Sequence, residues 1–98
     1  MHYQKILKNT QKILSSLFVD RQVAVYLFGS FAHKKTHCCS DIDIGILPRK
    51  PLPLGLLPHI REGLEESNIP LRIDLVDLSR TSQKFRNAVI REGIRWNL

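Results

Sequence analysis

Apolar side chains recur at helical spacing along residues 3–18, and lysines occupy the opposite face. This periodicity predicts an amphipathic first helix whose apolar stripe packs against a core. The stripe consists of Tyr3, Ile6, Leu7, Ile13, Leu14, Leu17 and Phe18.

Four further segments carry the patterns of β-strands. Residues 23–28 form a continuous apolar run that ends at Gly29, which is typical of a strand covered on both faces. Residues 42–47 and 71–76 alternate, with an aspartate on one face and isoleucine or leucine on the other. Residues 94–98 predict a short tail strand.

Helix caps and turn residues punctuate the chain between these strands. Ser30 is placed to cap a short helix that continues to about Lys35. A last helix is expected before Gly93, which would end it, with Ser79 or Thr81 as its cap. The apolar residues of this last helix are Phe85, Ala88, Val89 and Ile90.

Between the second and third strands, a loop punctuated by prolines leads into a helix at about residues 54–67. The predicted order of helix, strand, short helix, strand, helix, strand and helix favours an α/β (α+β) fold, with a small mixed β-sheet and helices packed on one face. The face that carries the aspartates would then meet water or a ligand. At 98 residues, we expect one domain over 1–98.

Composition and charge narrow the classes of partner. Hydrophobic residues make up 43% and charged residues 24% of the chain, as in ordered globular proteins. The net charge of +6 indicates an anionic partner such as a nucleotide, a nucleic acid or an acidic protein surface. Aromatic side chains are not interleaved with the basic residues, so a dedicated nucleic-acid-binding module is the less favoured class.

The expected compartment is the cytoplasm. No apolar run reaches the roughly 20 residues that span a bilayer, and no secretory segment is recognisable at the start. The adjacent Cys38 and Cys39, next to His37, lack the spacing of zinc ligands, so we expect free thiols. A chain of this size buries a modest share of its surface, and we therefore expect a homo- or hetero-oligomer.

Three aspartates provide the candidate chemistry. Asp41 and Asp43 are two residues apart at the start of the second predicted strand, so both project from one face. Asp74 has a similar place on the third predicted strand, and the three carboxylates converge if these strands are neighbours. Carboxylates about 4 Å apart repel each other by on the order of 1 kcal/mol even in water. A divalent cation such as Mg²⁺, which prefers hard oxygen ligands, removes that cost.

A phosphate-binding turn is predicted upstream of the aspartates. Gly29 and Ser30 join a buried strand to a predicted helix N-terminus, where free backbone N–H groups attract phosphate. Glycine lets a phosphate approach the backbone closely, and the serine hydroxyl adds a donor. Lys34 and Lys35 follow within one turn and supply positive charge.

Other charged and aromatic residues allow simpler roles. Arg72 shares the predicted face of Asp74, so it either touches a phosphate or forms a salt bridge with Asp74. Asp77 falls on the opposite face of that strand, which favours a strand-end or capping role. We expect Phe85 and Trp96 in the core or in a partner interface, with base stacking as the less favoured role, and His37 and His59 at the surface.

The order Phe28-Gly29-Ser30, ten residues, then Asp41-Ile42-Asp43 resembles the signature of the nucleotidyltransferase superfamily related to DNA polymerase β. Residues 72–76 resemble the strand that carries the third carboxylate in that superfamily. The spacing and the short chain are similar to those of minimal nucleotidyltransferases, which are usually encoded beside a helical partner of the higher-eukaryote and prokaryote nucleotide-binding (HEPN) family. The resemblance extends over nearly the whole chain.

This resemblance implies a polymerase β-like palm fold and a Mg²⁺-dependent nucleotidyltransferase with two metal ions per site. Asp41 and Asp43 would bind both metals, and Asp74 would complete the second site and help to deprotonate the acceptor hydroxyl. Gly29 and Ser30 would hold the triphosphate of ATP or another nucleoside triphosphate. Transfer of AMP to a tyrosine of a HEPN-family toxin would make the chain an antitoxin.

One departure from the family pattern favours an alternative. Family members often have Ala-Arg-Gly after the Gly-Ser-x motif, whereas this chain has Ala32-His33-Lys34. His33 or Lys34 would then have to replace the arginine as the cation that binds the triphosphate. The alternative is a catalytically weak or inactive binding module that neutralises its partner by contact.

Overall fold

A computed structural model describes residues 3–18, 22–32 and 41–98. The predicted order of helices and strands is confirmed, with a second 3-10 turn added before the last helix. The elements are α1 (Tyr3–Leu17), β1 (Val23–Phe28), a first 3-10 turn (Gly29–Phe31), β2 (Ile42–Pro48), α2 (Leu56–Glu65), β3 (Ile73–Asp77), a second 3-10 turn (Leu78–Arg80), α3 (Gln83–Glu92) and β4 (Ile94–Trp96).

The four strands form one mixed sheet in the order β3-β2-β1-β4. β1 runs antiparallel to both β2 and β4, whereas β2 and β3 are parallel. Parallel neighbours need a crossover connection, and α2 lies in the segment that joins β2 to β3. The mixed sheet predicted from the strand patterns is therefore confirmed, and β3 and β4 form its two edges.

The main core lies between one face of the sheet and the helices α1 and α2. Every second residue of β2 from Ile42 to Ile46 points into this core and is completely buried, which explains why isoleucine alternates in the sequence. Burying one such side chain stabilises the fold by about 1.5–3 kcal/mol. The residues of this core include Ile6, Leu14, Val25, Leu27, Ile42, Ile44, Ile46, Ile60, Leu64, Leu75 and Trp96.

A smaller apolar cluster covers part of the opposite face, where Tyr26 packs with Leu78 and Val89. α3 therefore lies across the sheet from α1 and α2, whereas the sequence predicted all helices on one face. Gly45 leaves room for Leu78 on this face, because a Cβ at this position would come within 2.9 Å of the Leu78 Cδ1 atom. Arg86 fixes the second 3-10 turn by donating from Nε to the Leu78 carbonyl at 2.8 Å.

The predicted cap of the last helix is wrong, whereas the cap predicted at Ser30 stays a prediction. A 3-10 turn begins at Gly29, and the helix that Ser30 is predicted to cap would continue beyond the described residues. The last helix, α3, is capped by Ser82, whose hydroxyl accepts from the Phe85 N–H at 3.2 Å. The stretch expected to hold that cap forms the second 3-10 turn instead. The predicted continuation of the first short helix to Lys35 lies outside the described residues.

None of the helices in the described ranges is long and apolar enough to cross a membrane. Trp96 is 7% exposed and belongs to the core, as predicted. His59 is exposed on α2, also as predicted. His37, Cys38 and Cys39 lie outside the described residues, so the prediction of free thiols stays a prediction.

Candidate active site

Two of the three predicted carboxylates lie side by side in the centre of the site. Asp43 on β2 and Asp74 on β3 are Cα partners in the parallel register. Paired residues of neighbouring strands project from the same face of a sheet, so both side chains share the face opposite the main core. Asp41 precedes β2 by one residue and is exposed. It lies two residues before Asp43 and therefore on the same side.

The turn that follows β1 lies directly against the middle carboxylate. Phe28 is the Cα partner of Asp43, and Gly29 follows it with a φ of +74°. A Cβ atom at Gly29 would overlap the Asp43 carboxylate. Glycine is therefore required here for its backbone conformation and for the space it leaves. The structure thus brings Gly29 and Asp43 together, which is compatible with the motif spacing.

The electrostatics of Asp43 indicate that its negative charge lacks compensation. Burial raises the pKa of its carboxyl above the ordinary value, and the neighbouring charges of Asp74 and Asp41 raise that pKa further. Both causes disfavour the ionised form, because the carboxylate loses water and meets like charges. A bound cation reverses this balance, since it stabilises all three carboxylates at once.

The donor set is suited to a hard divalent cation, because all three side chains offer carboxylate oxygens. Within residues 3–18, 22–32 and 41–98, however, no three His, Cys, Asp or Glu side chains are gathered closely enough to hold a metal ion. Burial, and then the charges of Asp74 and Asp41, raise the pKa of the Asp43 carboxyl. The metal role of Asp41, Asp43 and Asp74 stays a prediction.

An aromatic contact holds the first 3-10 turn against α1. Phe31 is 6% exposed, and its ring meets the ring of Tyr3 on α1 edge to face, with centroids 5.3 Å apart. The backbone N–H of Ala32 closes the turn by donating to the Gly29 carbonyl. Ser30 is half-buried inside this turn. Lys34, the third predicted phosphate-binding residue, lies outside the described residues.

Two charged neighbours of the carboxylates differ in role. Asp77 accepts from the Ser79 N–H at 2.9 Å and from the Ser79 hydroxyl at 2.6 Å, so the predicted capping role is confirmed. Arg72 lies beside the start of β2, where its carbonyl accepts from the Ile42 N–H at 2.9 Å. Among the described residues, Arg72 forms no salt bridge with Asp74. Its side chain is exposed and remains available to an anion.

Two contacts near the site were not predicted by local patterns. Arg61 on α2 donates from a guanidinium nitrogen to the Leu75 carbonyl at 2.9 Å and so holds α2 against the edge strand β3. Phe85 is 41% exposed and packs edge to face on Phe28, with ring centroids 5.8 Å apart. Both contacts join elements distant in sequence, which is why helix or strand periodicity carries no sign of them.

Known proteins are similar to this chain in sequence and in fold. It is 35% identical over 77 residues to "Probable protein adenylyltransferase MntA" from Haemophilus influenzae, a match that covers 79% of this chain and 66% of that protein. The chain thus spans just under two thirds of the length of this relative.

Two solved structures are similar over most of the chain. A chain from a toxin–antitoxin crystal structure with AMP-PNP is 28% identical, with a TM-score of 0.70 over 90% of this chain and 73% of that one. A chain from the tri-AMPylated HEPN toxin of Shewanella oneidensis in complex with its MNT antitoxin is 27% identical. Its TM-score is 0.69, over 97% of this chain and 72% of that one.

The family match covers nearly all of the chain. Residues 4–95 match the family described as "Polymerase beta, Nucleotidyltransferase", so the match includes the first 3-10 turn, β2 and β3. These are the elements that carry Gly29, Asp43 and Asp74. The chain belongs to the polymerase β-type nucleotidyltransferase family.

Proposed function

We propose that this chain is a Mg²⁺-dependent nucleotidyltransferase that moves AMP from ATP onto a hydroxyl group of a HEPN-family protein and thereby acts as its antitoxin. The observation that carries the proposal is the position of Asp43, which lies between the Gly29 turn and Asp74 on one face of the sheet. The backbone of the Gly29 turn would bind phosphate, Asp43 would bind metal, and Asp74 would lie on the acceptor side. These groups lie in this order across β1, β2 and β3.

The donor side of the site is the turn after β1. Gly29 and Ser30 would hold the triphosphate through backbone N–H groups and the serine hydroxyl, and Lys34 would add positive charge. Phe31 supports this arrangement, because its buried ring fixes the turn on α1 before any nucleotide binds. A rigid turn lowers the entropy cost of positioning the α-phosphate.

The carboxylates would hold two Mg²⁺ ions, with Asp41 and Asp43 on both and Asp74 on the second. Family membership supports divalent metal use, since nucleotidyltransferases generally depend on it. When bound, such ions stabilise the charge that develops on the attacking and leaving oxygens.

Asp74 would orient the acceptor hydroxyl and take its proton. In the transfer, the hydroxyl oxygen forms a bond to the α-phosphorus, and the bond between that phosphorus and the oxygen bridging to the β-phosphate breaks. Pyrophosphate leaves with the electron pair of that bond.

The similar proteins support a HEPN-family protein as the acceptor. The relative from Haemophilus influenzae is named as a protein adenylyltransferase, and the similar antitoxin from Shewanella oneidensis was solved with an AMPylated HEPN toxin. By this analogy we propose a HEPN-family protein as the partner, a tyrosine as the modified residue, and a stable hetero-oligomer in the cytoplasm.

A second function is favoured by one feature of the sequence. Ala32-His33-Lys34 replaces the Ala-Arg-Gly common in the family, so a cation that binds the triphosphate is missing unless His33 or Lys34 replaces it. A chain that binds ATP weakly would still fold and could neutralise its partner by contact alone.

Intact mass spectrometry separates the two functions. The purified chain is incubated with the HEPN-family protein encoded beside it, ATP and Mg²⁺, and the mass of the partner is measured. We expect added AMP units with the wild type and none with Asp43→Asn. The matched control is Glu62→Gln, which removes an exposed carboxylate from α2 and should leave the transfer unchanged. A stable complex without any mass gain would favour the contact function.

A further inference from the structure

Phe28 and Phe85 form an aromatic pair at the end of β1. Their rings meet edge to face, with centroids 5.8 Å apart and an angle of 85° between the ring planes. Phe28 directly precedes Gly29, and Phe85 lies near the start of α3. Phe85 is 41% exposed. The aromatic pair therefore offers ring surface to solvent beside the turn that is predicted to bind phosphate.

The aromatic pair shares a face of the sheet with the candidate carboxylates. Phe28 is the Cα partner of Asp43, which is in turn the Cα partner of Asp74. Cross-strand partners project from the same face, so the three side chains form one row across β1, β2 and β3. Gly29 follows Phe28 in the chain, so the turn and the aromatic pair lie on the same side of Asp43. One molecule that carries both phosphate groups and an aromatic base would meet the turn, Asp43 and the aromatic pair together.

The helix that carries Phe85 is held firmly beside β1. The Ser82 hydroxyl accepts from the Phe85 N–H at 3.2 Å and fixes the first turn of α3. Val89, one turn further along, is buried in the smaller apolar cluster. At the end of the helix, a Cβ on Gly93 would come within 3.0 Å of the Leu27 carbonyl oxygen, so the chain here lies close against β1. The ring of Phe85 is thus held in position by the fold itself.

The exposure of Phe85 favours a role beyond packing. Phe28 is half-buried and packs against the smaller apolar cluster, so the fold accounts for its ring. Trp96, the other aromatic residue for which the sequence allows base stacking, is 7% exposed in the main core and is therefore not accessible. In an edge-to-face pair, the two rings do not cover each other's faces completely, and a planar base stacks on such a face.

We propose that the aromatic pair is the base-binding subsite of the candidate active site, and that the purine of a nucleoside triphosphate stacks on the ring of Phe85. This inference rests on the proposed function, because it concerns the nucleotide that the same site would bind. The triphosphate would lie at the Gly29 turn, with the α-phosphate next to Asp43.

Stacking sets the class of base rather than its identity. Every base has a π-face, so stacking tolerates different bases. A purine has two fused rings and overlaps a phenyl ring over a larger area than a pyrimidine does. We therefore expect ATP and GTP to bind more tightly than CTP and UTP.

Equilibrium binding of ATP and of inorganic tripolyphosphate to the purified chain, both with Mg²⁺, tests the subsite. Tripolyphosphate has the phosphate groups of ATP but no base, so its Kd reports the phosphate-binding and metal-binding groups alone. Phe85→Leu removes the ring and keeps an apolar side chain. We expect this variant to bind ATP about tenfold more weakly, as loss of a stacked base predicts. The Kd of tripolyphosphate should stay within about twofold of wild type.

The preference for purines gives a second measurement. The ratio of the Kd of CTP to that of ATP should fall toward unity in Phe85→Leu, whereas Phe85→Tyr keeps a ring and should keep both the ratio and the affinity for ATP. The matched control is Ile90→Ala, which shortens a side chain that is 39% exposed on another face of α3. This control should bind ATP like the wild type.

Two results would overturn the subsite. One is an unchanged affinity for ATP in Phe85→Leu. The other is an equal loss of affinity for ATP and for tripolyphosphate, which is the result expected if the ring only supports the fold. A thermal midpoint near that of the wild type, expected for a change at an exposed side chain, shows that the variant is folded.

The same measurements separate the subsite from the proposed function. A loss of ATP affinity in Phe85→Leu alone supports the subsite even if the wild type transfers nothing to the HEPN-family partner. Unchanged ATP affinity in Phe85→Leu, together with transfer of AMP by the wild type, would overturn the subsite and leave the proposed function intact. A wild-type chain that binds no ATP would overturn both.

Discussion

Gly29 and Asp43 are packed so closely that a side chain on Gly29 would occupy the space of the Asp43 carboxylate. The contact joins the end of β1 to the centre of β2 and is possible because Phe28 and Asp43 are paired in the antiparallel register. The positive φ of Gly29 turns the chain away from β1 at this point. A phosphate held by this turn would therefore lie next to the Asp43 carboxylate.

Gly29→Ala should abolish transfer and destabilise the protein. A non-glycine residue with positive φ costs about 1–3 kcal/mol, and displacement of the Asp43 carboxylate adds to that cost. Gly55→Ala is the matched comparison for stability, because Gly55 also has a positive φ of 86° but nothing lies within 4 Å of its Cβ position. Urea unfolding of both variants measures the difference. Equal losses of stability, with transfer retained in Gly29→Ala, would show that the contact is unimportant.

At neutral pH, Asp43→Asn should increase the stability of the folded protein. The same variant should abolish the transfer of AMP. Because the pKa of Asp43 is raised in the folded state, the native protein binds more protons than the unfolded chain between the ordinary pKa and the raised one. Stability is therefore lost as pH rises through that window, and asparagine avoids the loss. Urea midpoints should favour the variant at pH 7 and converge with the wild type near pH 3. A variant less stable than wild type at pH 7 would contradict this assignment.

Mg²⁺ should stabilise the wild type through the same carboxylates. A ligand that binds only the folded state adds about 2.7 kcal/mol when its concentration is about 100 times its Kd. We expect the thermal midpoint to rise with Mg²⁺ and to return to its original value after EDTA. Asp43→Asn should show almost no response, and Glu62→Gln should respond like the wild type. A response that survives in Asp43→Asn would place the cation elsewhere.

Gly45→Ala should destabilise the protein at the smaller apolar cluster of Tyr26, Leu78 and Val89. The added methyl group would meet Leu78 at 2.9 Å, and overpacking of this kind costs about 1–3 kcal/mol. Leu78→Val should relieve part of the clash, so the double variant should be more stable than the sum of the two single changes predicts. Urea unfolding of the four proteins gives the coupling energy. Additivity within about 0.5 kcal/mol would mean that the two residues are not in contact.

The strands and the carboxylates were predictable because their patterns are local. The apolar run of residues 23–28 and the isoleucine alternation of β2 report burial directly, and Asp41 and Asp43 share a face by spacing alone. The register that pairs Asp43 with Asp74 was not predictable to the residue. A slip of one position would have put Asp74 in the core, so only the assembled sheet establishes the pair.

The position of α3 was not predictable because it depends on contacts between distant segments. On the unexpected face of the sheet, Val89 of α3 packs with Tyr26 and Leu78, and Leu78 lies close to Gly45. Such contacts leave no periodic pattern in the sequence. The role of Lys34 and the alternative raised by Ala32-His33-Lys34 remain predictions, since residues 33–40 lie outside the described ranges.

In the proposed reaction, the bond broken in ATP lies between the α-phosphorus and the oxygen that bridges to the β-phosphate. The most direct measurement compares ATP labelled at the α-phosphate with ATP labelled at the γ-phosphate, each incubated with the chain, Mg²⁺ and the HEPN-family partner. We predict that label from the α-phosphate enters the partner, that label from the γ-phosphate does not, and that Asp43→Asn transfers neither. Label from the γ-phosphate in the partner, or α-phosphate label transferred equally by Asp43→Asn, would contradict the proposed reaction and its site.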